Sequence, residues 1–315
     1  MPLVPRSRDL SALLVRAVAR IPMGSIQLPP SAIAAVFDLR RRSAGLKRKQ
    51  VNVGRFTLPY LEGGNPDGPT LVLIHGFSDS KDSFVDVCQG LSGTYRLILP
   101  DVPGFAEASS PLDFTYDLAS VAEVVAGFFD AVGLHDVHVV GSSLGGAVAV
   151  QLAMTRPELL RSMSLVAAAG VRMPTPSPLQ LRLDAGDNPF VIDTQQGYED
   201  FVGLVMEKQP PIPAPILRHL AQEFMDRASL NQKIMGDLMK GDWDFTPRLS
   251  QVEVESLLIW GDHDRLIDIS AGHAYHRGLP NSRLVIFHGI GHIPQHECPA
   301  RTGLYIHRFI ESQAG

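Results

Sequence analysis

The sequence lacks several features that would assign it to a specialised class of protein. It has two cysteines in 315 residues, Cys88 and Cys298, which are too few for a disulfide framework or a cysteine-rich zinc site. A reducing compartment is the default, and whether the two cysteines pair is left open. No run of eighteen apolar residues occurs, so we predict no membrane-spanning helix. Its 28 basic and 33 acidic residues give a net charge of −5, so we expect no nucleic-acid partner.

The first 48 residues are predicted to form an N-terminal helical basic arm. Apolar residues recur at helical spacing from Leu10 to Ile21. Arg16 and Arg20 interrupt them and no small-residue cleavage site follows, so we expect no signal peptide. Six cations then cluster within ten residues: Arg40, Arg41, Arg42, Lys47, Arg48 and Lys49.

Two interpretations of this arm stay open. In the first, the arm packs on the domain and its cations lie in a solvated turn. In the second, amphipathic helices and a basic cluster make peripheral contact with an anionic membrane surface. We accordingly expect a cytoplasmic protein, which under the second interpretation lies at the membrane.

From residue 49 onward the chain alternates between strand-like and helix-like segments. Residues 49–61 resemble a strand pair, and short apolar runs follow at 70–74, 96–99, 137–140, 163–167, 256–260 and 283–287. Helical patterns, such as those at 118–132 and 147–155, lie between these runs. Apolar runs of this length are typical of parallel strands that are buried on both faces. Residues 49–170 and 248–315 are therefore predicted to form an α/β core with a mostly parallel, doubly wound sheet.

Residues 171–247 interrupt this alternation. They contain nine of the 24 prolines and no convincing strand, whereas apolar residues recur at helical spacing. A structureless loop of such length is uncommon in a compact domain. We therefore predict an inserted helical cap, or lid.

The strongest chemical signal is the segment from Val139 to Gly146, which contains Gly-x-Ser-x-Gly with Ser143 at its centre. An apolar strand precedes it and a helical pattern follows, as a nucleophile elbow requires. Because a serine hydroxyl is a poor nucleophile at neutral pH, it needs a base, typically a histidine that a carboxylate orients. In this architecture the acid and then the histidine follow the serine in the chain.

Both partners are expected after the last two strands. The candidate acids are Asp262, Asp264 and Asp268, and the candidate bases are His288, His292 and His296. They follow the carboxyl ends of strands, where open α/β sheets bind their ligands.

Together these motifs resemble the α/β-hydrolase superfamily over residues 50–312. The family pattern W-G-x-x-D matches Trp260 to Asp264, and G-x-G-H matches Gly289 to His292. The resemblance implies Asp264 as the catalytic acid and His292 as the base, with the other candidates in supporting roles. His75-Gly76-Phe77 is similar to the family's oxyanion-loop motif, which implies the N–H groups of Phe77 and Leu144 as the oxyanion hole. His75 and Asp101 are expected to be structural.

This constellation predicts a serine hydrolase that acts through an acyl-enzyme and needs neither cofactor nor metal. The predicted cap contains Ala185-Gly186-Asp187-Asn188-Pro189 and, further on, Lys208-Gln209-Pro210-Pro211-Ile212-Pro213. These motifs resemble those of bacterial lipase-1-type enzymes and the related monoacylglycerol lipases. The implied function is a carboxylic-ester hydrolase (a lipase or esterase) with a small-molecule acyl ester, such as an acylglycerol or another medium-to-long acyl ester, as substrate. Carbon–carbon bond hydrolysis of the meta-cleavage type and a non-catalytic small-molecule receptor on the same fold remain the alternatives.

Three methionines are predicted to bind substrate: Met206, Met225 and Met235. Flexible thioethers suit an adaptable surface for acyl chains of different length. The alternative is that they pack within the cap.

Overall fold

An eight-stranded sheet organises the computed structural model, which describes residues 29–209 and 212–313. The strands run in the order β1-β2-β4-β3-β5-β6-β7-β8. Their bounds are β1 Leu46–Val53, β2 Phe56–Gly64, β3 Thr70–Ile74, β4 Arg96–Pro100, β5 Val137–Ser142, β6 Leu160–Val166, β7 Ser256–Gly261 and β8 Ser282–Phe287. Strand β2 pairs antiparallel with β1 and β4, and every other pairing in the sheet is parallel. This is the α/β-hydrolase arrangement that the sequence predicts.

The described helices are α1 Pro30–Ser43, α2 Val85–Cys88, α3 Leu118–Val132, α4 Leu144–Thr155, α5 Pro178–Asp184, α6 Gln195–Val205, α7 Ala214–Asp226, α8 Ala228–Lys240, α9 Ile269–Gly278, α10 Pro294–Glu297 and α11 Pro299–Glu311. Short 3₁₀ turns cover Lys81–Phe84, Pro157–Leu159 and Thr246–Gln251. None of the helices in the described ranges is long and apolar enough to cross a membrane.

The central strands separate two apolar layers. On β3, Val72 and Ile74 belong to one buried cluster, whereas Leu71 and Leu73 belong to the cluster on the opposite face. Side chains of a strand alternate between faces, so a strand with helices on both sides must be apolar at every position. The continuous apolar runs of the sequence follow from this requirement.

Between β6 and β7 lie four helices, α5 to α8, and no strand occurs in the described part of this stretch. We refer to residues 171–247 as the helical insertion. Its helix α6 begins at the cap residue Thr194, whose hydroxyl accepts a hydrogen bond from the N–H of Gly197 at 3.1 Å. Pro178 and Pro215 lie in the first turns of α5 and α7, where a missing N–H costs no hydrogen bond.

The prediction of a basic turn at the end of the arm was wrong. Strand β1 begins at Leu46, so Lys47, Arg48 and Lys49 lie in a strand that pairs with β2. Pairing with β2 gives the backbone of these residues ladder hydrogen bonds that a turn would not provide. The predicted helix at residues 10–21 lies outside the described residues.

Four of the six clustered cations have carboxylate partners. The Arg41 side chain is 10% exposed and donates to Asp82, with a Nε–Oδ1 distance of 2.7 Å. Arg40 contacts Asp86 at 2.9 Å. Arg48 and Lys49 form ion pairs with Glu107 and Glu62, respectively. The pairs of Arg40, Arg41 and Arg48 join the described part of the arm to the domain.

Candidate active site

Ser143 lies at the sharp turn between β5 and α4. Its backbone has φ +52° and ψ −116°, a left-handed conformation that is rare for a residue with a side chain. Its N–H donates to the carbonyl of Val166 and its own carbonyl accepts from the N–H of Ala169, both at 3.0 Å. These bonds to the end of β6 hold the strained turn, which directs the hydroxyl away from the sheet.

The two motif glycines permit this turn. A Cβ on Gly141 would lie 2.3 Å from the carbonyl oxygen of Gly145. A Cβ on Gly145 would lie 2.3 Å from the oxygen of Ile74 and 2.5 Å from that of His75. Both contacts are with backbone that has no room to move, so any larger residue would push the helix away from the sheet.

His292 and Asp264 form a buried pair. The Nδ1 atom of His292 lies 2.8 Å from Oδ2 of Asp264, and both residues are about 5% exposed or less. The other oxygen of Asp264 accepts hydrogen bonds from the N–H groups of Leu266 at 2.8 Å and Ile267 at 2.9 Å. Since the carboxylate is fixed on one side, it fixes the imidazole on the other, which leaves Nε2 of His292 free to accept a proton.

The rival candidates have other partners. Asp262 accepts from the N–H of Gly289 at 2.7 Å and lies 2.8 Å from Nδ1 of His288, whose side chain is 84% exposed. Asp268 caps helix α9 through the N–H of Ser270. His296 contacts the hydroxyl of Ser83 at 3.1 Å. These contacts give the rivals structural roles.

Two unpartnered backbone donors lie beside Ser143. Neither the N–H of Phe77 nor that of Leu144 bonds to another residue in the described ranges. Leu144 is the first residue of α4, where helical N–H groups have no intrahelical acceptor. A Cβ on Gly76 would lie 3.2 Å from Cβ of Ser143, so the loop that carries Phe77 runs directly past Ser143. Both donors line the same cavity as Ser143 and His292.

Buried polar contacts support the Phe77 loop. Nδ1 of His75 lies 2.8 Å from the carbonyl oxygen of Gly76, and its Nε2 accepts from the N–H of Val102 at 2.9 Å. Asp101 accepts from both the N–H and the ammonium group of Lys81, at 2.8 and 2.7 Å. With both ring nitrogens occupied, His75 is structural.

Ser143 lines a cavity of about 2060 Å³ that is bordered both by the helical insertion and, elsewhere, by helix α1. Of the predicted substrate-binding methionines, Met206 and Met235 line it. Met225, on α7, is half-buried and is not among the residues around this cavity, so its role in substrate binding stays a prediction.

The sequence analysis missed an aromatic row along the cavity. Phe77 contacts Phe190 edge to face at 5.6 Å between ring centroids, Phe190 contacts Phe201 at 5.3 Å, and Phe201 contacts Phe224 at 5.5 Å. All four rings line the cavity. The helical spacing of Phe201 with Val205, four residues later, is the signal in the sequence that indicates this face.

Comparisons with known proteins agree with this geometry. A model of the alpha/beta hydrolase fold matches residues 69–195. Lipase 1 of Psychrobacter immobilis is 28% identical over 302 residues, which are 93% of this chain and 95% of that protein. Lipase 3 of Moraxella sp. (strain TA144) is 30% identical over 246 residues, 77% of this chain and 78% of that protein. Monoacylglycerol lipase ABHD6 of Mus musculus is 26% identical over 306 residues, which cover 92% and 90% of the two chains.

A solved structure extends the likeness to the helical insertion. The crystal structure of a membrane phospholipase A, described as a bacterial virulence factor, is 33% identical with a TM-score of 0.89 and covers 97% of this chain and 98% of its own. A match of this extent includes the sheet, the insertion and the loops that carry the site. The chain therefore belongs to the α/β-hydrolase family and is a carboxylic-ester hydrolase of the serine type.

Proposed function

We propose that this enzyme hydrolyses acylglycerols or other esters of medium-to-long acyl chains, with Ser143, His292 and Asp264 as its catalytic triad. The observation that carries the proposal is that Ser143, the His292–Asp264 pair and the residues of two unpartnered N–H groups, Phe77 and Leu144, meet at one largely apolar cavity, which all of them except Asp264 line. Its relatives named lipase and monoacylglycerol lipase support the same substrate class.

In the proposed reaction, Nε2 of His292 accepts the proton of the Ser143 hydroxyl as the oxygen attacks the ester carbonyl. The oxyanion that forms receives hydrogen bonds from the N–H groups of Phe77 and Leu144, which have no protein partner to give up. His292 then transfers its proton to the departing alcohol. A water molecule, deprotonated by His292, hydrolyses the acyl-enzyme, and Asp264 stabilises the imidazolium in both steps.

The cavity supports the preference for longer acyl chains. Its lining from the insertion is largely apolar, with Phe190, Phe201, Val202 and Met206 among the residues around the site. Burying an acyl chain there contributes about 0.8 kcal/mol for each methylene group removed from water. The helical insertion covers the cavity, and we propose that it acts as a lid that gates the entry of such substrates.

The proposal is tested with p-nitrophenyl esters from acetyl to palmitoyl, followed by monoacylglycerols, and with Ser143→Ala as the blank. We expect an optimum above four carbons and less than a thousandth of the activity in the variant. Equal inertness of both folded proteins would refute ester hydrolysis. Turnover of a dienoic-acid meta-cleavage product would then favour the carbon–carbon hydrolase, and saturable binding without turnover would favour the receptor.

We propose a cytoplasmic location, with the described part of the arm packed on the domain rather than on a membrane. The ion pairs of Arg40 and Arg41 support this interpretation. Reversing the charge of the exposed Arg42 and Lys47 together should leave sedimentation with anionic vesicles unchanged. A clear loss of sedimentation in that double variant would instead support peripheral membrane contact.

A further inference from the structure

The loops that carry Asp264 and His292 are both fastened to one stretch of the helical insertion, residues 203–208, which we call the strap. The N–H of His292 donates to the carbonyl of Val205 at 2.9 Å. From the other loop, Arg265 donates to the carbonyl of Gly203 at 2.9 Å and forms an ion pair with Glu207. The two parts of the proposed acid–base pair therefore share one support, which belongs to the lid.

Glu297 adds a further connection between the loop that carries His292 and the strap. One oxygen of its carboxylate accepts from the N–H of Gly291, the residue before His292, at 2.9 Å. The other oxygen accepts from the N–H groups of Glu207 at 3.1 Å and Lys208 at 2.7 Å. A single carboxylate thus joins the backbone of the histidine loop to the backbone of the strap.

Gly291 shows how closely the two segments approach each other. A Cβ at this position would lie 2.8 Å from both the nitrogen of Glu207 and the oxygen of Val205. Burial raises the pKa of Glu297, although its hydrogen bonds from Lys208, Gly291 and Glu207 act in the opposite direction. A half-buried carboxylate that accepts hydrogen bonds from three backbone N–H groups holds the two segments together.

We propose that Glu297 is a positioning residue for His292 and makes the catalytic geometry depend on a docked strap. The inference rests on the proposed function, since it takes His292 as the base. If the strap moved, it would displace the imidazole of His292. We therefore expect that the lid opens by movement of α7 and α8 while the strap stays in place. Displacement by about 1 Å is enough to lower a catalytic rate about a hundredfold.

Replacing Glu297 with glutamine breaks part of the connection between the histidine loop and the strap while it keeps the size of the side chain. An amide has one acceptor oxygen, so it keeps either the Gly291 bond or the bonds to Glu207 and Lys208, and its NH₂ group faces donors on the other side. Glu297→Asp keeps both oxygens but is one methylene shorter and does not span the two segments. Glu158→Gln, at an exposed carboxylate paired with Arg156, is the matched control.

The experiment measures kcat and KM on p-nitrophenyl butyrate, the rate of Ser143 labelling by a fluorophosphonate, and amide hydrogen exchange of peptides that cover 203–208 and 289–292. For Glu297→Gln we expect kcat to fall about tenfold or more, KM to stay within about twofold, and both peptides to exchange faster. The Glu158→Gln control should match the wild type.

Glu297→Asp should lose less kcat than Glu297→Gln and carries the test if the glutamine variant does not fold. A merely structural Glu297 would lower the thermal midpoint but leave kcat per folded enzyme within twofold of the wild type, and that result overturns the inference. Unchanged exchange of the strap peptide also overturns it. Absence of Ser143-dependent labelling in the wild type would instead overturn the proposed function, whichever way the exchange data fall.

Discussion

Replacing Asp264 with asparagine tests the proposed triad most directly, because the surroundings of Asp264 determine how the new amide is oriented. In the wild type, one carboxylate oxygen accepts from the N–H groups of Leu266 and Ile267, and the other lies 2.8 Å from Nδ1 of His292. In Asp264→Asn the amide oxygen faces the two N–H groups. Its NH₂ group then donates to Nδ1 of His292, which moves the imidazole proton to Nε2, the wrong nitrogen for a base.

The size of the effect follows from these contacts. Turning the amide to restore the active tautomer would give up two backbone hydrogen bonds, which costs about 2–3 kcal/mol at about 1–1.5 kcal/mol each. That energy corresponds to about a 30- to 150-fold loss of the active tautomer. The imidazolium also loses the charge of Asp264 in the transition state. We therefore expect kcat on p-nitrophenyl butyrate to fall about 10³- to 10⁴-fold.

The assay compares Asp264→Asn with Asp262→Asn, since Asp262 also contacts a histidine and a backbone N–H but lies at the surface. The Asp262 variant should retain kcat within about threefold, as expected for an exposed carboxylate pair. Two results would refute the reasoning: an Asp264 variant with more than a tenth of wild-type kcat, or equal losses in both variants while both remain folded.

Three further predictions follow from the same structure. Met206→Ala should lower kcat/KM on a decanoyl ester about fivefold through lost acyl-chain contact, and Met225→Ala should leave it within twofold; the reverse ranking would contradict the described cavity lining. Gly145→Ala should lower the free energy of unfolding by about 3 kcal/mol in urea titrations, whereas Gly236→Ala, on a helix with open space around it, should raise it by about 0.5–1 kcal/mol. Burial lowers the pKa of His138 from 6.5 to about 4, so its neutral form adds stability that is complete above pH 6.5 and is lost as the pH falls towards 4. His138→Leu should therefore remove about 2 kcal/mol of the stability difference between pH 7 and 4.5, and an unchanged difference would contradict this assignment.

Helices and turns whose signals lie within a few residues of them in the chain are predictable from the sequence. Helix α3 was predicted at 118–132, and it has those bounds because Asp117 caps its first turn through the N–H of Ser120 and Gly133 ends it with φ +72°. The elbow at Ser143 was predictable for the same reason, since a strand, a tight turn and a helix leave their pattern in fewer than twenty residues.

Long-range contacts were not predictable in this way. Arg41 pairs with Asp38, three residues before it in the same helix, but also with Asp82, 41 residues away. No spacing rule indicates the second, buried pair. Helical periodicity shows which residues share a face, but the packing of the whole insertion decides which face lines the cavity. That is why helical spacing alone did not identify Phe190 and Phe224 as cavity-lining residues.

The placement of the proposed triad on separate strands has a consequence for how the enzyme matures. Ser143 follows β5, Asp264 follows β7 and His292 follows β8. In the sheet these strands lie in the order β5-β6-β7-β8, so only β6 separates β5 from the other two. The first and last of these side chains are separated by about half of the chain, and β8 follows the other seven strands of the sheet in chain order. With the proposed triad, catalytic competence requires that β8 has joined this edge of the sheet. During refolding, the return of turnover should follow the burial of Trp260 on β7, which makes activity a reporter of the final step of assembly.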